Sequence, residues 1–211
     1  GEYDGKLFWT GMYAGNAREA IHKIQNEGGF PGFESYTDAM LEIFGIFLKY
    51  YNDYCEKIWP EEEKRLEKTA QEWQKRFDEE GLDEKAEKLV GIESETIFFA
   101  SLISSIEHGV EAILYQTEDG NTHDLFSIDR DYGSARAMFL HEYIISLLGK
   151  RIPFAIDAYD RYEGLAEYYT EELIGKTYNF TYMDKYIEFY RMKMSEKSYT
   201  PEELFEMAGH V

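Results

Sequence analysis

Two hydrophobic rhythms divide the chain. From residue 37 to 58, Met40, Ile43, Phe44, Phe47, Leu48 and Tyr51 recur every three or four positions, the period of one helix face. Trp59-Pro60 interrupts this run and predicts a second helix. Proline suits a first helical turn, and Glu61, Glu62 and Glu63 complement the positive end of the helix dipole. Leu66, Ala70, Trp73 and Phe77 then form a stripe to be buried, with the charges between them as its solvated face. A short helix over 82–90 follows. The first 35 residues read differently, as an irregular Gly-rich segment. Within it, Gly28-Gly29-Phe30-Pro31-Gly32-Phe33 is a turn-laden loop without the Lys-Ser/Thr ending of a phosphate loop.

Near Glu95 the rhythm changes. Residues 96–103 are β-branched and aromatic and predict a strand. Residues 110–116 predict a second strand, Asp119-Gly120 a turn, and 125–128 a third strand, with helix as the competing reading over 95–116. Ser134 is a candidate N-cap for a helix that Gly149 would stop. Further helices are expected over 162–173, ended by Gly175, and over 181–195 and 201–208. Helices, then a few strands, then helices make an α+β domain, mostly helical with a small mixed sheet. The organisation expected is an irregular segment 1–35 and one domain 36–211, with a helical part 36–92, strands over 93–130 and helices over 131–211.

Composition narrows the function. The 211 residues suffice for one sizeable core. With 42 acidic residues against 22 basic ones, the net charge is -20, which repels nucleic acid and anionic membranes. Such a charge suits a cation or a basic partner, or simply keeps the chain soluble. A single cysteine, Cys55, rules out an internal disulfide and a cysteine metal cluster. No apolar run reaches the roughly twenty residues of a membrane-spanning helix. The chain starts at Gly1 with no signal peptide visible, which leaves the compartment open and leans towards an exported protein whose signal has been trimmed.

Chemistry concentrates in two stretches. His141-Glu142 stands in the middle of an apolar helical run, where burying both costs free energy unless something pairs with them. Four residues on, one helical turn away on the same face, is Ile145. After a gap spanning residues 146–162 comes Glu163-Gly164-Leu165-Ala166-Glu167-Tyr168. This pair of stretches, in this order after helices and strands, resembles the active-site segment of gluzincin-type (peptidase MA-like) zinc metalloproteases, over roughly residues 60–175.

The resemblance implies a zincin-like fold, with His141 and Glu163 as zinc ligands and Glu142 as the general base. Glu167 would hydrogen-bond the ligand histidine. It also implies a second ligand histidine where this chain has Ile145. Catalytic zinc sites use three protein ligands, so zinc binding is expected to be weak or absent. The function expected is a metalloprotease-like domain that has lost peptidase activity and binds a peptide or protein. The alternatives are an active peptidase whose unusual metal site is completed by an aspartate, with Asp157 and Asp160 the candidates, or by a partner, and an interaction domain with chance matches. His22, His108, His123 and His210 lack motif spacing to His141. Glu107-His108, with Glu93 or Glu95 upstream, is only half of a di-iron pattern. Serine-hydrolase and cysteine-nucleophile signatures are missing.

Overall fold

The computed structural model describes residues 37–95, 97–103, 115–116, 122–127, 131–153, 155–175 and 182–211, together with Arg18, Ile21, His22 and Gln25, which are helical. The strand expected over 110–116 is thus described only at its end, and 28–33, Glu107-His108 and Asp119-Gly120 lie outside the described residues. The chain divides into two units, Gly1–Lys64 and Arg65–Val211.

In the first unit, α1 (Thr37–Lys57) follows the expected periodicity. Phe44 is buried and meets Phe47 edge-on at 6.1 Å between ring centres. Phe47 and Tyr51, which share the apolar stripe, are 57% and 60% exposed, so periodicity alone did not bury them. Helix α2 (Trp59–Glu80) begins at Trp59 with Pro60 in its first turn and runs on into the second unit.

The second unit is mostly helical. Trp73 of α2 is buried against Phe139 and Tyr132. Helix α3 (Leu82–Val90) coincides with the short helix expected there, and both ends are marked by left-handed glycines, Gly81 (φ 57°) and Gly91 (φ 72°). Three strands follow: β1 (Phe98–Ile103), β2 (Tyr115–Gln116) and β3 (Thr122–Ser127). They lie in the order β1-β3-β2, with β1 parallel and β2 antiparallel to β3. The third strand thus starts at Thr122 rather than Leu125, because Asp124, polar in the sequence, is a fully buried strand residue.

Helix α4 (Tyr132–Leu148) starts earlier than Ser134 suggested. Asp131 is its N-cap, with a carboxylate that accepts from the Ser134 backbone N–H at 3.1 Å. An ionised carboxylate is the stronger acceptor for these orphan donors, and Ser134 instead donates its hydroxyl to Asp131 at 2.9 Å. Gly149 does end the helix, in right-handed geometry.

A 3₁₀ turn, Ile156–Ala158, leads into α5 (Tyr159–Ile174), followed by α6 (Asp184–Glu196), α7 (Pro201–Met207) and a final 3₁₀ turn, Ala208–His210. The main core is made where α4 and α5 meet, from Leu140, Ile144, Leu147, Leu148, Leu165 and Ala166, all fully buried. Burying such side chains stabilises by about 1.5–3 kcal/mol for each large one. Gly164 lets α6 approach α5, since a Cβ there would lie 2.8 Å from the Tyr186 Cβ.

Candidate functional site: a histidine between two glutamates

Helix α4 carries His141 and α5 carries Glu163 and Glu167, which lie one turn apart and share a helix face. Packing of the two helices inserts the His141 ring between those carboxylates. Its Nε2 lies 3.1 Å from Glu163 Oε2 and its Nδ1 lies 3.0 Å from Glu167 Oε2. His141 is 7% exposed and Glu167 2%.

A neutral imidazole donates from only one nitrogen, whereas imidazolium donates from both. Two carboxylates facing two ring nitrogens therefore favour the charged ring. Burial is the largest single influence and works against that charge. The hydrogen bonds to Glu163 and Glu167, with the nearby charge of Glu142, outweigh it and push the pKa of His141 up to about 10.

Around this centre lie groups that the sequence did not single out. Tyr162 donates its hydroxyl to the Ile145 carbonyl at 3.1 Å. Tyr159 begins α5 one turn before Glu163. Its phenol is pushed above the usual range by burial, then by the charge of Glu163, the neighbouring Tyr182, and the charges of Glu142 and Asp160. Tyr162 is raised likewise, by burial and then by Glu163 and Glu142. Spacing could have found Tyr159, four positions before Glu163. Tyr182 belongs to another element, and no spacing points to it.

Of the residues expected at the site, the structure brings together His141, Glu163 and Glu167, with Glu142 near enough to act on them electrostatically. Ile145 is partly buried and packs against the main core cluster. Asp157, Asp160 and His210 are exposed. His123 lies in β3, His22 is helical, and His108 lies outside the described residues.

One imidazole nitrogen and one carboxylate face each other here, and Ile145, one turn on from His141, brings no donor. Among the described residues no three His, Cys, Asp or Glu side chains form a group that could hold a metal ion. His141 and Glu163 would be two of the three protein ligands that a catalytic zinc takes beside its open position. The 3.1 Å between His141 and Glu163 is instead an ordinary charge-assisted hydrogen bond. Among the described residues, no helix is long and apolar enough to cross a membrane. No protein-family model, curated protein or solved structure matches the chain.

Proposed function

We propose that this protein is a metalloprotease-like domain of gluzincin type, zincin-like in fold, that has lost peptidase activity and binds a peptide or protein. The observation that carries this reading is the seating of one His141 ring between Glu163 and Glu167. In a zinc site of that family Nε2 would face the metal beside Glu163, and Nδ1 would be oriented by a carboxylate. Here the first carboxylate accepts directly from the ring, and no metal is needed to offset the buried charges. Ile145 removes the remaining imidazole, which accounts for the loss of catalysis.

Zinc titration of three forms tests this. The wild type should bind zinc weakly, Ile145→His at least tenfold more tightly, and Glu163→Ala no better than the wild type. Equal affinity of the wild type and Ile145→His would overturn the reading. Tight wild-type binding that is lost in Glu163→Ala would replace it with a metal site completed by a further ligand.

A further inference from the structure

On the far side of α4 from His141 lies a groove of about 530 Å³. Phe139 and Tyr143 reach it from α4, each two positions from His141 and hence about 200° round the helix. Trp73 and Phe77 of α2 complete an aromatic floor. Ring contacts join these residues: Trp73 meets Phe139 at 5.7 Å, and Phe98 meets Tyr143 at the same distance.

The opposite wall is β1. Five positions, Ile97, Phe98, Phe99, Ala100 and Leu102, border the groove. Side chains of a strand alternate between its two faces, so a cavity lined by consecutive residues meets the strand along its backbone edge. The direction of that edge follows from the ladder. Ile97 accepts at its carbonyl from Thr122 N–H at 3.1 Å, which turns Ile97, and with it Phe99 and Ser101, towards β3. The backbone N–H and C=O groups of Phe98, Ala100 and Leu102 then point away from β3. In the order β1-β3-β2, no described strand pairs with that side.

The charge of the wall is one-sided. Asp78, Asp83 and Glu87 line the groove, and among the described residues no lysine or arginine does. Glu87 is held in place by Tyr143 Oη at 2.7 Å and by Ser94 N–H at 2.9 Å. Lys150 reaches Ser94 Oγ at 3.2 Å and is the one cation tied to the wall among the described residues.

We propose that this groove takes an extended peptide segment of alternating apolar and basic residues, which adds to the open edge of β1 as a further strand. The ladder groups of Phe98, Ala100 and Leu102 supply affinity, as unpaired edge backbone does in strand addition. Alternate side chains of the guest fall on the aromatic floor and beside the three carboxylates. A small amine fits the charge of the wall but leaves the strand edge unsatisfied. The proposal does not depend on the His141 site.

The test is fluorescence anisotropy with a fluorescein-labelled octapeptide of alternating valine and lysine, beside the same peptide with N-methylated backbone amides. N-methylation keeps side chains and charge and removes ladder donors, so binding should weaken roughly tenfold or more. Ala100→Pro should weaken binding to a similar degree, because proline deletes an outward N–H while an edge strand tolerates it. Asp78→Asn/Asp83→Asn should also weaken it. On the wild type, hydrogen exchange at Phe98, Ala100 and Leu102 should slow when the peptide is added, a readout that stands even if Ala100→Pro fails to fold. Equal binding of both peptides, or unchanged exchange at those three amides, would show general attraction to an acidic surface and overturn the proposal. So would octylamine binding that is lost in Asp78→Asn/Asp83→Asn while the peptide does not bind.

Discussion

Nδ1 of His141 stands 3.0 Å from Oε2 of Glu167, although 26 positions separate the two residues along the chain. Both are buried, so this contact orients the ring and satisfies a carboxylate that has little access to water. Removing Glu167 takes away the acceptor at Nδ1 while Glu163 still faces Nε2. Glu167→Ala should therefore cost about 1–3 kcal/mol of stability, and Glu167→Gln, which keeps an acceptor, clearly less. Urea unfolding measures both. Equal stability of Glu167→Ala and the wild type would mean that the contact contributes nothing.

Chelation separates a self-satisfied histidine from a hidden metal site. A metal that binds only the folded state raises the melting temperature, and its removal lowers it. Because the His141 ring already has a carboxylate at each nitrogen, dialysis against EDTA should leave the thermal midpoint unchanged. A fall of several degrees, restored by zinc, would point to a metal held by a ligand outside the described residues.

Gly164 lies at a close approach of α6 to α5. The nearest obstacle to a Cβ is the Tyr186 Cβ at 2.8 Å, not the mobile end of a side chain, so Gly164→Ala must push the helices apart. Overpacking of this kind costs roughly 1–3 kcal/mol. Because α5 carries Glu163 and Glu167, the shift should also reach His141. The imidazole proton resonances in an NMR spectrum should move, and unmoved resonances with full stability would show that the contact yields freely.

At the far end of the unit, Thr200 and Glu203 cap α7 reciprocally. Thr200 Oγ1 accepts from Glu203 N–H at 3.3 Å, and the Glu203 carboxylate accepts from Thr200 N–H at 2.9 Å. Thr200→Ala should lower stability by about 1 kcal/mol. A matching drop in thermal midpoint checks this, and no drop would show that Pro201 and the burial of Leu204 suffice to start the helix.

Helices with a strong apolar period were legible in sequence because local spacing and end signals agree. Gly81 and Gly91 bracket α3, and Thr200-Pro201 opens α7, each through geometry within a few residues. Where local signals compete, the reading slipped. Asp131 and Ser134 are both good caps, and only the folded backbone shows which one accepts. The third strand was expected over 125–128, yet strand pairing begins at Thr122 and carries Asp124 into the interior.

For the site, the sequence alone determined the chemical inventory. It supplied a histidine and two carboxylates at helical spacing, an aliphatic residue where a third donor would stand, and a net charge of -20. These are facts of residue type and of one-turn periodicity, which need no knowledge of distant neighbours. Only the tertiary structure decided that His141 is clasped at both nitrogens, that Tyr159 stands near both Glu163 and Tyr182, and that no described strand pairs with one edge of β1 beside an acidic aromatic groove. Those outcomes depend on how α4 packs against α5 and on which strand lies at the rim of the sheet. Both are settled by burial of side chains far apart in the chain, and no local pattern records them.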